Sequence, residues 1–214
     1  MFDKTKTVPL SKFLPELRFE FQDLPDELFY FAIVRTARRL ANGGDIDIRK
    51  SILHIKPYVT RYALRLPPDV DLVNIISLEP QFDYKGQLKP LNLLRGRPKN
   101  WQNYQYEGIA WYDDIDKIIH VQNYNVLADF ILHISVSPLD SACELPLIYY
   151  DELIELMMLG IKATILKMDN KPWTNLQLAF TYDKAFDQGV HELTVTNHMH
   201  KTKGIFKMNI GRVM

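Results

Sequence analysis

The sequence predicts an α+β fold in which an N-terminal helix and a C-terminal antiparallel helical hairpin flank a small inserted antiparallel β region. Apolar residues recur at helical spacing near both ends of the chain, whereas short alternating runs separated by Pro, Gly and Asn fill the middle. Hydrophobic residues make up 47% of the chain, which is enough for a buried core. We expect a single domain over residues 1–194, followed by an extended C-terminal arm over residues 195–214.

The first predicted helix covers residues 23–42. Asp23 is placed to cap it, and Pro25 fits its first turn, where a missing N–H costs nothing. Asn42-Gly43-Gly44 is a typical end of a helix. The helix is amphipathic, so we expect it to pack on another element. The residues at helical spacing are Leu28, Phe31, Ala32, Arg35 and Arg39.

The β region covers residues 45–137. Its best strand candidates are residues 72–78 and 130–136, because both are rich in β-branched and apolar residues. Residues 80–108 combine aromatic side chains with Gly and Pro, which is typical of a long loop. Two roles stay open for this loop, namely binding a partner and closing the sheet with a local aromatic cluster. Its candidate partner-binding residues are Tyr84, Trp101, Tyr104 and Tyr106.

The helical hairpin is predicted over residues 145–194. One long helix is expected from Leu145 to Asp169, and Asn170-Lys171-Pro172 ends it. A second helix is expected to begin with a capping box, in which the Gln177 side chain reaches back to the backbone of Thr174. Because the connection is short, the two helices should be antiparallel neighbours.

The C-terminal segment, residues 195–214, differs in character from an ordinary solvated tail. It carries cations but no acidic residue, and it also carries several apolar side chains. We therefore expect an arm that becomes ordered against a partner, although a frayed terminus is the simpler alternative. Its candidate partner-binding residues are Lys201, Lys203, Ile205, Phe206, Lys207, Met208, Ile210 and Arg212.

Composition limits the classes of function. Lys and Arg number 26 and Asp and Glu also number 26, so the formal net charge is zero, which disfavours a protein that mainly grips nucleic acid through phosphates. Cys143 is the single cysteine, which excludes an internal disulfide and fits assembly in a reducing cytoplasm. We expect no membrane association, because no apolar run approaches the roughly 18 residues of a membrane span.

The sequence contains only poor matches to catalytic and metal-binding patterns. We therefore predict that the protein is not an enzyme and has no metal site and no cofactor. A His-x-His pair lies in the tail, a Cys–His–Asp set can be drawn from distant positions, and Asp-rich turns occur in the β region. Each of these three patterns has a simpler explanation, in which the side chains are exposed to solvent or buried for structural reasons. A cluster of arginines at the end of the first helix offers a DNA-facing surface, although the helix dipole also explains it. The residues concerned are His191, His198, His200, Cys143, His120, His133, Asp140, Asp113, Asp114, Asp116, Asp69, Asp71, Arg35, Arg38 and Arg39.

One family resemblance covers roughly two thirds of the chain, in order. It is carried by Leu145-Pro146, by the run Leu159 to Ala163, by the corner Lys171-Pro172-Trp173, and by a last helix with Leu178-Ala179 and Phe186-x-x-Gly189; Pro25-Asp26 and Tyr62-x-Leu64-x-Leu66-Pro67 match more loosely. On these residues the chain resembles the head-to-tail adaptors of short-tailed phages, the tail-tubular-A-like connectors. Ile161 and the long 80–108 loop depart from the pattern. The packing residues that mark the family are Gly160, Pro172, Trp173, Tyr182 and Phe186.

The resemblance implies a structural protein of the virion. Copies of the chain would form a dodecameric ring that binds the portal protein on one side and the tail nozzle protein on the other. DNA would pass through its channel without specific binding. Two alternatives stay open: a head-completion or neck protein of a long-tailed phage, and a DNA-associated packaging or regulatory factor.

Overall fold

The structure, a computed structural model, describes residues 6–81, 91–95, 109–113, 115–122 and 127–209, with backbone only at 92, 95 and 197–209. Contacts divide the chain into two compact units. We call them the sheet unit, which contains Ile48–Ser135, and the helical unit, which contains Thr5–Asp47 and Val136–Met214. The span that the sequence predicted as one domain therefore contains residues of both units.

Helices and strands both extend through much of the described chain. In chain order they are β1 (Thr7–Pro9), a 3₁₀-helix (Leu10–Phe13), α1 (Leu14–Glu20), α2 (Asp26–Gly44), β2 (Asp47–Ile55), β3 (Arg61–Ala63), β4 (Val70–Pro80), β5 (Asn92–Arg95), β6 (Ile109–Asp113), β7 (Ile118–Gln122), β8 (Ala128–Pro138), β9 (Glu144–Pro146), α3 (Ile148–Asp151), α4 (Ile154–Leu166) and α5 (Leu176–Asn209).

The predicted fold class is wrong, because the β structure is much larger than a small antiparallel insert. The strands described form three sheets, with the orders β1-β9, β2-β8-β4 and β3-β7-β6-β5. β5 and β6 are parallel, with Leu93 opposite Ala110, so the sheet that contains them is mixed. The fold is a mixed α/β fold. β5 was missed because a four-residue strand whose partner is remote in sequence leaves almost no periodic signal.

The extended arm is also wrong over the part of it that the structure describes. α5 is one helix of 34 residues, and its backbone stays helical from Leu176 to Asn209. The predicted end near Leu193 carries no proline and no capping glycine. Gly204 lies inside the helix, where a glycine costs only about 1 kcal/mol relative to alanine. Nothing in the local sequence therefore ends the helix where we expected.

The N-terminal helix starts later than predicted. Pro25 is its N-cap residue, with extended backbone dihedrals, and α2 begins at Asp26. Asp23 makes no capping hydrogen bond; the carboxylate of Asp26 instead pairs with Arg18 at 2.6 Å. At the other end, Asp45 takes a left-handed conformation with φ 48°, directly after Gly44. The glycine-rich end of the helix thus lies within two residues of its predicted position.

The single long helix predicted from Leu145 is wrong as well. Glu144–Pro146 form β9, in which Leu145 lies opposite Val8 of β1, and a short α3 precedes α4. The predicted capping box is replaced by a different cap, since the Leu178 N–H donates to Asn175 Oδ1 at 3.1 Å. The Thr174 hydroxyl instead accepts from the Lys171 N–H and donates to the Met168 carbonyl.

The core of the helical unit lies between α2, α4 and α5. α4 and α5 are antiparallel, because Gly160 approaches Phe186 while Lys167 pairs with Asp183. Burial of each large apolar side chain here contributes about 1.5–3 kcal/mol relative to exposure. Residues buried in this core include Phe13, Leu17, Phe29, Ile33, Leu40, Tyr149, Met157, Ile161 and Phe186.

Two strands of the sheet unit, β7 and β8, bury one face. In β8, Phe130, Leu132 and Ile134 alternate with more exposed residues, which is the two-residue period of a strand with one buried face. Ile119 and Val121 do the same in β7. Within the described ranges, no helix combines the length and the apolarity that crossing a membrane requires.

Candidate interaction surfaces

Gly160 lies where α4 packs closely against both α2 and α5. A Cβ atom at this position would lie 2.5 Å from Thr36 Cγ2 on α2 and 2.7 Å from Phe186 Cε2 on α5. Thr36 is fully buried and Phe186 is 1% exposed. Only a residue without a side chain fits between them, so Gly160 permits the close approach of both helices to α4.

The other packing residues marked by the sequence lie elsewhere in the helical unit. Trp173 is half-buried against the helical core, and its indole N–H has no hydrogen-bond partner among the residues described. Tyr182 is half-buried, with the Lys162 ammonium 5.7 Å from its ring centre. Pro172 is exposed at the turn before Trp173.

A charged cluster joins the same three helices at the surface. Arg39 of α2 donates to Asp183 at 2.8 Å and to Asp187 at 2.9 Å, and its guanidinium lies 4.6 Å from the ring centre of Phe186. Lys167, at the end of α4, donates to Asp183 at 2.6 Å. Partial burial raises the pKa of Asp183, but the hydrogen bonds from Lys167 and Arg39 outweigh it and hold that pKa below its ordinary value.

Several large apolar side chains of the helical unit face solvent. Phe19 at the end of α1 is 84% exposed, Phe180 on α5 is 65% exposed and Phe31 on α2 is 52% exposed. A single exposed apolar residue is ordinary, but three phenylalanines on one small unit indicate contact surfaces. Other large apolar side chains exposed on this unit are Leu176, Leu178 and Val195.

A groove runs beside Phe31, and we call it the Phe31 groove. Its apolar part, of about 520 Å³, is lined by Leu10, Tyr30, Phe31, Val34 and Cys143, together with polar residues at its rim. A second cavity of about 370 Å³ adjoins Phe31 and is lined by Arg35, Arg39 and Lys167. The charged residues that line the groove itself are the acidic Glu27 and Asp140, whereas the cations line the adjoining cavity.

Arg35 differs from the other two arginines of α2. Arg38 pairs with Asp140 at 2.8 Å, and Arg39 pairs with Asp183 and Asp187. Arg35 is exposed, and among the described residues it contacts the Phe31 ring, at 5.8 Å from the ring centre, without an acidic partner. Its charge is available to a group from outside the chain.

The sheet unit has its own polar contacts. His54 lies 2.7 Å from Asp129, and the His133 ring lies 2.9 Å from the Ser77 hydroxyl. A cavity of about 420 Å³ lies between β4 and β5, with Tyr112 and Lys117 in its wall.

The predicted partner-binding residues lie at the margins of the described chain or beyond it. Of the arm, residues 201–209 have a helical backbone within α5, and Ile210 and Arg212 lie outside the described residues. The structure does not describe the side chains of residues 197–214 or any of the four aromatic loop residues, Tyr84, Trp101, Tyr104 and Tyr106. Both partner-binding assignments stay predictions.

The alternative chemistries find little support in the contacts present. The Cys143 thiol is exposed and contacts the Ser141 carbonyl at 3.8 Å, while His120 stacks on Trp111 with the ring centres 5.0 Å apart. Asp113 accepts from the backbone N–H groups of the turn that follows it. Across the part of the chain that is described, His, Cys, Asp and Glu form no group of three that could hold a metal ion.

Sequence reasoning missed the exposed phenylalanines. Phe31 was expected on the packing stripe of the helix, but the buried face of α2 carries Phe29, Ile33 and Ala37 instead. Residues 28–34 are almost all apolar, so their spacing does not reveal which face is buried. The acidic surroundings of Phe19, at Glu16 and Glu20, were the one available signal.

No known protein-family model matches this chain, and no curated protein sequence matches it either.

Proposed function

We propose that this chain is a structural protein of a tailed-phage virion. Copies of it would form a ring that joins the portal protein of the capsid to the tail and lets DNA pass. The family resemblance described for residues 145–189 is the starting point of this proposal. The structure adds support through the way in which those residues pack.

The observation that supports the proposal most is that Gly160, a marker of the resemblance, lies where α4 packs tightly against α2 and α5. Gly160, Trp173, Tyr182 and Phe186 all belong to the helical unit, and Gly160 and Phe186 are in direct contact. The charged cluster around Asp183 then fixes the same three helices from outside. A ring subunit needs a stiff wedge, and tightly packed helices with small residues at their contacts provide one.

The length of α5 also suits a connector. Its 34 residues span roughly 51 Å, whereas the 13 residues of α4 span roughly 20 Å. Contacts between α5 and α2 include Val190 against Gly43, and the Thr194 hydroxyl donates to the Gly43 carbonyl at 2.6 Å. The backbone helix continues for fifteen residues after Thr194, to Asn209. A helix that continues beyond its contact with α2 at Thr194 can bind a neighbouring protein.

The DNA-associated alternative has less support. Arg38 and Arg39 are ion-paired within the helical unit, so of the three arginines on α2 only Arg35 carries a charge without an acidic partner in the described chain. One such cation is a weak basis for gripping phosphates, which takes several Lys and Arg contacts.

A truncation tests the proposal and the role of the arm together. Deleting residues 197–214 removes the end of α5 but keeps the contact between Thr194 and Gly43. We therefore expect a folded protein that does not sediment with the portal protein of the same virion, whereas the full chain does. A control chain that carries a Gly/Ser segment of equal length tests whether sequence or length matters, and circular dichroism checks the fold.

The results of this experiment distinguish a wrong function from a wrong assignment of the portal-binding segment. If the full chain does not sediment with the portal, the proposed function is wrong. If the truncated chain binds as tightly as the full chain, the arm is not the portal contact, and another surface must supply it.

A further inference from the structure

We infer that neighbouring copies of this chain are joined by their arms, with residues 201–214 of one copy bound in the Phe31 groove of the next. The inference rests on the proposed function, because a ring requires a contact between copies, and it names the two surfaces that make that contact. It assigns the arm to a neighbouring copy, so the loss of portal binding expected for the truncated chain would follow from loss of the ring.

The Phe31 groove combines an apolar lining with negative charge. Its volume of about 520 Å³ is enough for an aromatic side chain. The charged residues that line it are Glu27 and Asp140. Asp140 pairs with Arg38 at 2.8 Å, whereas Glu27 is exposed and belongs to no ion pair within the described ranges. The groove therefore favours an apolar segment that carries cations. Its apolar lining includes Leu10, Phe31, Val34 and Ala142.

Residues 201–214 have the complementary composition. The segment contains no acidic residue, and its apolar residues include Phe206, an aromatic side chain of the kind that is enriched at interfaces. Lys203 and Lys207 are close to Phe206 in the sequence, so one short segment supplies both an anchor and positive charge. Binding of a helix in an apolar groove is a common mode of recognition. The cations of the segment are Lys201, Lys203, Lys207 and Arg212.

The directions of α2 and α5 determine where the arm begins. Arg39 of α2 pairs with Asp183 of α5 at 2.8 Å. Further along both helices, the Gly43 carbonyl accepts a hydrogen bond from the Thr194 hydroxyl at 2.6 Å. The two helices therefore run in the same direction, and the arm continues past the C-terminal end of α2. The Phe31 groove lies near the opposite end of that helix.

The arm cannot reach the groove of its own copy while α5 stays helical. Phe31 lies twelve residues before Gly43, or about 18 Å back along α2. Asn209 lies fifteen residues after Thr194, or about 22 Å forward along α5. The end of the helix is thus about 40 Å from the groove, and the five residues after Asn209 span at most about 18 Å. The occupant of the groove is therefore the arm of another copy.

The contact joins two different surfaces, the arm and the groove, which lie beyond opposite ends of α2. A contact between different surfaces of identical copies repeats from one copy to the next, and it forms a closed ring when the rotation between copies closes. Every arm is then used once and every groove is filled once, as a ring requires.

A crosslinking experiment with two full-length chains tests the contact directly. Cys143 lies in the wall of the groove and is the only cysteine of the parent chain. A size-tagged variant with Cys143→Ser and Asn209→Cys carries its single thiol on the arm instead. Mixed with the parent chain and a short bis-maleimide, this variant should give heterodimers that link an arm to a groove. The reaction is run on the protein alone and with portal.

A matched control places the thiol on α5 but outside the arm. Gln188 is exposed on α5, so a tagged variant with Cys143→Ser and Gln188→Cys presents an equally accessible thiol. This control should give at least about tenfold fewer heterodimers, because its thiol is not held near the groove of another copy.

Charge reversal tests whether the groove itself holds the arm. Glu27→Lys in the parent chain, or Lys203→Glu with Lys207→Glu in the arm variant, should each lower the heterodimer yield about tenfold, since attraction becomes repulsion. Combining the reversals on both surfaces should restore the yield to about a third or more of its starting value. Glu16→Lys is the matched control and should leave the yield unchanged, because Glu16 is also an exposed acid in the first turn of a helix but does not line the groove.

Alanine substitutions test the apolar part of the contact. Phe31→Ala in the parent chain and Phe206→Ala in the arm variant should each lower the heterodimer yield about tenfold, as expected when a buried anchor or its pocket is lost. Phe180→Ala should leave the yield unchanged, because Phe180 is exposed on the same unit but does not line the groove. Circular dichroism checks that each variant is folded.

The results distinguish this inference from the proposed function. Heterodimers that depend on Glu27 and are restored by the paired reversals support the contact. A ring on the portal without heterodimers above the Gln188→Cys control overturns the contact and leaves the function standing, and so does crosslinking that is insensitive to Glu27→Lys and Phe31→Ala. Heterodimers without portal binding support the contact and overturn the function, and the absence of both heterodimers and ring overturns the two together.

Discussion

Replacing Gly160 by alanine tests how closely the helices of the helical unit pack. The added Cβ would lie 2.5 Å from Thr36 Cγ2 and 2.7 Å and 2.8 Å from two ring carbons of Phe186. Atoms in contact normally stay about 3.5–4.0 Å apart, so each neighbour would have to move by roughly 1 Å. Thr36 and Phe186 are buried on all sides and have little room to do so.

Two opposing effects determine the change in the free energy of unfolding. Alanine favours the helical backbone over glycine by about 1 kcal/mol. Forcing extra volume into a tightly packed core costs about 1–3 kcal/mol, and a site closed on two sides by buried groups lies at the upper end of that range. We therefore expect Gly160→Ala to lower the stability of the protein by about 1–2 kcal/mol.

Urea unfolding followed by circular dichroism measures this difference, and Gly189→Ala provides the matched control. A Cβ at Gly189 would lie 2.7 Å from Leu156 Cδ1, the far end of a flexible and half-buried side chain that can rotate away. The helix preference of alanine should then dominate, and the control variant should be as stable as the parent or up to about 1 kcal/mol more stable.

The reasoning fails if Gly160→Ala is as stable as the parent protein. That result would mean that α2 and α5 separate from α4 at no cost, so that the unit is not a rigid wedge. Equal losses for Gly160→Ala and Gly189→Ala would also contradict it, because burial of the neighbours would then not explain the effect.

Two further predictions concern the surface of the same unit. Asp183→Asn removes the partner of Lys167 and should cost about 1–2 kcal/mol of stability at neutral pH. The pKa of Asp183 is lowered in the folded protein, so its ionised carboxylate stabilises the fold at any pH above the pKa of the unfolded chain. This stabilisation is lost as the pH falls below about 4. In thermal melts, the Asp183→Asn variant should therefore lose less stability on acidification than the parent protein. Asn175→Ala should cost about 1 kcal/mol through loss of the cap on α5, whereas Gln177→Ala should change stability by less than about 0.5 kcal/mol in the same melts.

Parts of the fold could be predicted because the signal is local. The end of α2 follows from Asn42-Gly43-Gly44, where glycine allows the chain to leave the helix. The antiparallel packing of α4 and α5 follows from two helical patterns and a short proline-containing connection. Gly160 stood out as a packing residue because a glycine inside an apolar helix needs a close neighbour to offset its cost.

Other parts depend on contacts that no local pattern contains. β9 takes its place because Leu145 pairs with Val8, more than a hundred residues earlier, and this pairing removes Leu145 from the predicted helix. The parallel pairing of β5 with β6 is likewise a long-range choice. The continuation of α5 past Leu193 was missed because we judged the segment by its charge and apolar content rather than by its lack of any helix-ending residue.

The exposure of individual side chains also depends on long-range packing rather than on a local sequence pattern. Phe31 and Phe29 both lie in the apolar run of α2, and the sequence alone gives them the same character. Tertiary packing then buries Phe29 completely and leaves Phe31 half in solvent, at the edge of a groove. Which charged side chains have no ion-pair partner among the described residues, such as Arg35, is also decided only by the three-dimensional arrangement.

The most direct test of the proposed function is electron microscopy of the purified chain mixed with the portal protein of the same virion, with the mass of the free chain measured in parallel. The account predicts a second ring stacked coaxially on the portal, absent from images of the portal alone. A portal that stays bare at saturating concentrations of a correctly folded chain would contradict the central claim, and the chain would then have to be sought elsewhere in assembly, beginning with salt-dependent binding to DNA.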